Sequence, residues 1–155
     1  MGERIDVSKD ELLGAFAEAH DDLRIAADAA VTRGDPHGDD EYGWGVREVL
    51  AHITSWEIEA TRHIPQVLAG APARDYDIDA FNVAAVAAHE GQSLHEVRAS
   101  LERAYARLVN LLDGLDEATF APGGVAWEWV TALARHSHDH ARELMGGRER
   151  PEETE

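Results

Sequence analysis

Two histidines near the end of the chain have the spacing of a metal site. His136 and His140 lie four residues apart, so on a helix their side chains share one face, one turn apart. The same face carries Trp129, Leu133 and Leu144, which indicates that it is turned towards a core. An i, i+4 histidine pair suits a single divalent ion. The alternative is a histidine-rich surface turn near a helix C-terminus, where imidazole also interacts well with the helix dipole.

His52 is the best candidate for a third ligand. It lies between Val49 and Trp56 at steps of three and four residues, so it shares their apolar edge on a helix. A single histidine on such a face is usually an ordinary core residue. His52 is a candidate ligand only because it is combined with the pair His136 and His140. His138 is expected to point outward. The five other histidines are scattered and are interpreted as surface residues: His20, His37, His63, His89 and His95.

The chain contains no cysteine, so a metal would be held by imidazole and oxygen alone. Three neutral imidazoles leave a divalent ion its full charge, and a tetrahedral ion with three protein ligands keeps one position open. Such an ion lowers the pKa of bound water towards about 7 and deprotonates a bound thiol. Zinc, nickel, copper and iron all accept imidazole, and zinc or nickel is expected here. A thiol used in the chemistry would have to arrive with a cofactor or substrate.

Three acidic residues flank His52 in sequence, namely Glu48, Glu57 and Glu59. Each is a candidate hydrogen-bond acceptor for a ligand imidazole, or a general base. The alternative, which we prefer, is a solvated acidic helix face.

The formal net charge of −17 argues against binding to nucleic acid or to an anionic membrane. The N-terminus lacks the apolar core of a signal peptide, and no apolar run approaches the roughly 20 residues that span a bilayer. A cytoplasmic location is therefore expected.

The sequence predicts an all-α protein. Two capping boxes, Ser8 with Glu11 and Ser93 with Glu96, mark helix starts, and glycines follow the predicted helix ends. A long loop should cover residues 32–45. We predict one domain over residues 1–147, followed by a charged, disordered tail over 148–155. The predicted helices, four long and one short, cover residues 9–31, 46–68, 78–89, 94–113 and 125–145.

Three segments resemble the DinB/YfiT-like superfamily of metalloproteins. The later two are the run from Asp79 to Asn82 and the closing pair His136-x-x-x-His140. The first is Trp44-x-Val46-Arg47-Glu48-Val49-Leu50-Ala51-His52-Ile53-x-x-Trp56-Glu57. The resemblance covers nearly the whole chain in order and spacing. It implies a four-helix bundle with a long crossover and one short extra helix, and a divalent site formed by His52, His136 and His140 that opens to a pocket.

Five residues are predicted to line that pocket, with ordinary core packing as the alternative for the aromatic ones: Trp44, Trp56, Phe81, Asn82 and Trp129. Asn82 differs from the others because a buried amide needs hydrogen-bond partners.

Two functions are compatible with this resemblance. Related proteins include mycothiol-dependent maleylpyruvate isomerase N-terminal domains and bacillithiol S-transferases, which imply a bacterial enzyme that uses mycothiol, bacillithiol or glutathione on a small electrophile. Other relatives, of the ClbS/DfsB type, imply a non-catalytic or metal-independent protein that binds a toxic small molecule. A third alternative is a plain helical dimer with a vestigial metal site. A homodimer is expected in each case, and no catalytic residue can be named.

Overall fold

The computed structural model describes residues 8–34 and 44–146, and all of its regular structure is helical. Within these residues no helix has the length and apolar character needed to cross a membrane. The predicted tail over 148–155, His37 and most of the predicted long loop lie outside the described residues. The helices of the described part of the chain are α1 (Lys9–Thr32), α2 (Val46–Leu68), α3 (Ile78–Ala88), α4 (Leu94–Asp113) and α5 (Val125–Leu144), with a 3-10 turn at Glu117–Phe120.

The predicted capping boxes start two of the helices. The Ser8 hydroxyl accepts the backbone N–H of Glu11 (3.1 Å), and the Glu11 carboxylate accepts the N–H of Ser8 (2.9 Å). Ser93 and Glu96 form the same reciprocal pair at the start of α4. These side chains satisfy backbone donors that a helix leaves unpaired at its N-terminus, which is why the local sequence located both starts correctly.

Four helices form the bundle, and α3 lies in the crossover between α2 and α4. The Arg33 guanidinium at the end of α1 donates to the Leu144 carbonyl at the end of α5 (2.7 Å), so these two helices run in the same direction. The Arg47 guanidinium at the start of α2 donates to the carbonyls of His89 and Gln92, just before α4. Helices α2 and α4 are therefore parallel too, and two parallel neighbours need a long connection. The all-α bundle with a long crossover is confirmed.

Two apolar clusters fill the bundle, one towards each end, and a polar layer separates them. The polar layer consists of His20, Glu57 and Ser137, all less than 5% exposed. Each of these residues lies on its helix between a member of one cluster and a member of the other; Glu57, for example, lies between Ile53 and Ala60. A layer of this kind is costly, because buried polar groups need partners.

Candidate metal centre

Three imidazoles from two helices meet at one point. His52 lies near the start of α2, and His136 and His140 lie in the second half of α5. The Nε2 atom of His52 is 2.7 Å from that of His136 and 3.2 Å from that of His140, and the last two are 3.2 Å apart. The structure thus brings together the three histidines singled out in the sequence.

The spacing of these nitrogens fits a metal ion. A tetrahedral zinc with Zn–N bonds of about 2.0 Å needs its nitrogens roughly 3.3 Å apart. Two of the three separations are close to that value, and the pair at 2.7 Å needs only a small adjustment. Without an ion, three imidazole nitrogens at such distances cannot all be paired, since each contact needs one donor and one acceptor. The donor set suits a divalent cation.

Hydrogen bonds on the far side of two rings fix their tautomers. The indole N–H of Trp56 can only donate, so the Asn82 side-chain atom 2.9 Å from it is the oxygen. That same oxygen lies 2.9 Å from His52 Nδ1, which must therefore carry a proton. His140 Nδ1 lies 2.8 Å from a carboxylate oxygen of Glu143. With Nδ1 protonated, His52 and His140 direct the Nε2 lone pair at the meeting point, as metal ligands require.

Burial keeps two of the imidazoles neutral. Desolvation, and then the neighbouring His136 and His140 rings, lower the pKa of His52 to about 3. Desolvation followed by the proximity of His140 lowers the pKa of His136 to about 3 as well. Both rings are therefore neutral at pH 7, with one nitrogen free of a proton and able to bind metal.

Glu143 was not identified from the sequence. The signal was available in principle, because Glu143 follows His140 by three residues and therefore lies on the same side of α5. Glutamate at that spacing is common on solvated helix faces, however, so the sequence alone gave no reason to select it.

A pocket of about 420 Å³ opens beside the three histidines, and the His52 and His136 side chains form part of its wall. Three of the five predicted pocket residues also line it: Trp56, Asn82 and Trp129. Phe81 is stacked against the Trp56 ring with centroids 3.9 Å apart, and Trp44 packs on His52 at 4.9 Å. Phe81 and Trp44 therefore support Trp56 and His52, respectively, by packing against them.

The interpretation of Glu57 and Glu59 as a solvated helix face is wrong, because both are buried. Glu59 accepts hydrogen bonds from the Tyr76 hydroxyl (2.5 Å) and from the guanidinium of Arg62 (2.7 Å), and it lies 3.3 Å from that of Arg74. Glu48 is half-buried, and its carboxylate accepts the Gly45 N–H at the start of α2. The hydrogen bonds of Glu48 and Glu59 are thus made away from the three histidines.

Three of the histidines interpreted as surface residues are also buried, namely His20, His63 and His89. His63 and His89 have hydrogen-bond partners that make burial tolerable; the backbone N–H of Arg74, for example, donates to His63 Nε2 at 3.2 Å. His20 is paired at Nε2, with Glu102 at 3.1 Å, whereas its buried Nδ1 has no partner within the described residues. His95 is exposed as predicted. The His138 side chain is 43% exposed and lies 3.3 Å from the Asp22 carboxylate, apart from the three converging imidazoles.

Asn82→Ala should weaken metal binding by about tenfold, because second-layer partners of metal-bound histidines typically contribute that much or more. The substitution removes the acceptor that orients His52 and also leaves the Trp56 N–H unpaired. Competition with a chromophoric chelator measures the affinity. Asn110→Ala, an exposed amide on α4, is the matched control. An affinity unchanged by Asn82→Ala would show that Asn82 does not orient His52.

Comparison with known proteins agrees with this architecture. No curated protein matches the chain. A crystal structure of an uncharacterised protein from Escherichia coli UTI89 superposes with a TM-score of 0.70 at 14% sequence identity, covering 92% of this chain and 95% of that one. The likeness to that structure concerns the fold alone. A family model described as DinB superfamily matches residues 27–144, which include all three converging histidines. The chain belongs to the DinB superfamily.

Proposed function

We propose that the chain is a metal-dependent enzyme that catalyses thiol-dependent S-transfer or isomerisation of a small electrophile. The observation that carries this proposal is the convergence of three Nε2 atoms, from His52, His136 and His140, at the wall of an open pocket. A purely structural site would be closed by a fourth protein ligand. Among the described residues, the cluster of His, Asp and Glu side chains that could hold the ion consists of these three imidazoles alone.

Zinc or nickel is the proposed metal. The three donors are neutral nitrogens held in a partly buried site, so the ion keeps its full positive charge. Metal ions of intermediate hardness, such as zinc and nickel, prefer these nitrogen donors to hard oxygen donors. When bound, an ion of this kind supplies a Lewis acid that stabilises the thiolate form of a coordinated thiol.

The absence of an internal thiol supports an external one. The chain has no cysteine, and its candidate site presents no serine or lysine nucleophile among the residues that line the pocket. Mycothiol, bacillithiol or glutathione would supply the missing nucleophile. The apolar surfaces of Trp56, Trp129 and Leu133 would exclude water around it.

A cationic side chain at the pocket also favours a thiolate. Arg135 lines the pocket together with Asp139, and the Asp139 carboxylate is paired with Arg142 at 2.8 Å. The Arg135 guanidinium therefore contributes a positive charge to the pocket, and a nearby positive charge lowers the pKa of a thiol.

Metal-loaded protein should accelerate conjugation of 1-chloro-2,4-dinitrobenzene with at least one of the three thiols, by at least about tenfold over the uncatalysed reaction. Absorbance of the conjugate measures the rate. Chelation and His140→Ala should each return the rate to background, whereas His138→Ala should retain it. No acceleration with any of the three thiols, in protein shown to contain metal, would refute the transferase.

A binding and resistance protein of the ClbS/DfsB type is the second candidate. It is favoured by the apolar, aromatic character of the pocket, which suits sequestration of a small molecule without chemistry. Binding that is unchanged by chelation would support it.

Self-association is a further proposal. The ends of α1 and α5 lie side by side, and three large apolar side chains are exposed there: Ile25, Val31 and Met145. These side chains offer a surface for a second copy of the chain. The net charge of −17 opposes such pairing at low ionic strength.

A further inference from the structure

A second pocket, of about 460 Å³, lies directly beside the pocket at the three histidines. The two share four wall residues, Trp56, Ile78, Trp129 and Ala132. All four are apolar, and the Ile78 side chain is exposed although it is large and hydrophobic. The two pockets are therefore halves of one groove with an apolar middle.

Aromatic rings form much of the second pocket. Tyr76 packs edge to face against Trp56 and Trp129, with ring centroids 5.2 and 6.0 Å apart. His63 meets Trp129 in the same manner at 6.3 Å. One face of Tyr76 is covered by the Arg74 guanidinium, 5.0 Å from the ring centroid, and one face of Trp56 by Phe81. Edge-to-face packing leaves the other ring faces for a further flat group.

The polar atoms of Tyr76 and His63 are already hydrogen-bonded. The Tyr76 hydroxyl donates to Glu59. His63 Nε2 accepts the backbone N–H of Arg74, so His63 Nδ1 carries the proton and donates to Gln66 at 3.1 Å. What Tyr76 and His63 offer to a ligand is therefore carbon surface in a fixed orientation.

The charges at the second pocket are balanced. The buried Glu59 carboxylate is shared between the guanidinium groups of Arg62, at 2.7 Å, and Arg74, at 3.3 Å, so this cluster keeps one positive charge. Glu128, which also lines the pocket, contributes a negative charge that offsets it. A pocket with paired and opposing charges gives little advantage to an anion or to a cation, and its aromatic walls favour a neutral group.

We propose that the second pocket binds a neutral aromatic group of the same molecule whose polar head lies at the three histidines. The inference rests on the proposed function and deepens it, because it assigns a substrate class. The substrate is an elongated molecule with a metal-binding or electrophilic head, and an aromatic ring that reaches past Trp129 into the second pocket.

Hydroxamates test this assignment, since they bind zinc through a small head to which a tail can be attached. In zinc-loaded protein, the best member of a series of phenylalkyl hydroxamates of increasing chain length should bind at least about tenfold more tightly than acetohydroxamate. Burial of one ring is worth at least that much. Calorimetric titration measures both affinities.

Ala73→Trp should abolish the gain from the ring while leaving acetohydroxamate affinity unchanged. Ala73 lines the second pocket and is absent from the wall of the first. Ala71→Trp, an exposed position in the same loop that lines neither pocket, is the matched control and should keep the gain. A gain that survives Ala73→Trp would overturn the assignment.

Metal-free protein provides an independent measurement. Titration with 2-naphthol should shift the backbone amide resonances of Tyr76 and Val125, and Ala73→Trp should suppress these shifts.

The outcomes separate the two proposals. If no hydroxamate binds the zinc-treated protein but 2-naphthol shifts these resonances, the metal-dependent function fails and the aromatic pocket stands. If acetohydroxamate binds and no phenyl tail improves its affinity, the metal site stands and the aromatic pocket is refuted. A trimethylammonium tail that binds as tightly as the best phenyl tail would overturn the neutral aromatic class.

Discussion

Replacing His140 by alanine should lower the affinity of the chain for zinc by at least about a hundredfold, since each ligand of a zinc site contributes a large share of its binding free energy. His140 Nε2 lies 3.2 Å from the Nε2 atoms of both His52 and His136. Its loss leaves two imidazoles, too few to hold the ion against water. His52→Ala and His136→Ala should have effects of the same order. Chelator competition and metal analysis of the purified protein both measure the effect.

His138→Ala is the matched control for this series. His138 is two residues from both ligand positions on the same helix, yet its side chain lies beside Asp22 and away from the site. It should therefore leave zinc affinity unchanged. The metal should also raise the unfolding midpoint of the wild type but not of His140→Ala, because a ligand that binds only the folded chain stabilises it. Loss of binding in His138→Ala, with binding retained in His136→Ala, would contradict the proposed ligand set.

Glu57→Met should make the protein more stable at neutral pH, by about 1–3 kcal/mol. The Glu57 side chain is 1% exposed, and within the described residues neither of its carboxylate oxygens has a hydrogen-bond partner. Methionine has a similar shape and no unpaired polar atom. For a chain of this length the gain corresponds to a rise of about 3–10 °C in the unfolding midpoint, which calorimetry measures.

The gain should depend on pH. Burial, reinforced by the negative charge of Glu102, raises the pKa of the Glu57 carboxyl well above its ordinary value of 4.5. The folded chain therefore holds this proton more tightly than the unfolded chain. Glu57 consequently lowers the free energy of unfolding as the pH rises above about 4.5, until the folded-state pKa is reached.

Urea unfolding across this pH range should show the difference between Glu57→Met and the wild type growing with pH. Glu18→Met, on the exposed face of α1, should change stability by less than about 0.5 kcal/mol at every pH. A Glu57→Met protein less stable than the wild type throughout would mean that the carboxyl has partners which stabilise it.

The features that could be predicted from sequence have local causes. Ser8 and Ser93 mark helix starts because a capping box needs only residues three positions apart. His136 and His140 share a face because helical geometry alone decides it. His52 required a further inference across the bundle, which its place between Val49 and Trp56 supported.

The features that could not be predicted depend on contacts between distant segments. Glu59 is buried because Tyr76 and Arg74, from the connection after α2, bring it donors. His63 is buried for the same reason. A helix sequence does not reveal which charged residues will meet such partners, and exposure is the safer expectation for each one taken singly.

The polar layer also restricts how the helices can slide along one another. A shift of α2 by one turn against its neighbours would move the Glu57 carboxyl out of the polar layer and into one of the two apolar clusters, whereas leucines and alanines alone would tolerate the shift. A single polar position can set helix alignment in this way at a cost in stability. His136 directly precedes Ser137, and His52 is little more than a turn from Glu57. The same layer therefore holds the α2 and α5 imidazoles level with each other, and we expect Glu57→Met to gain stability while loosening that alignment.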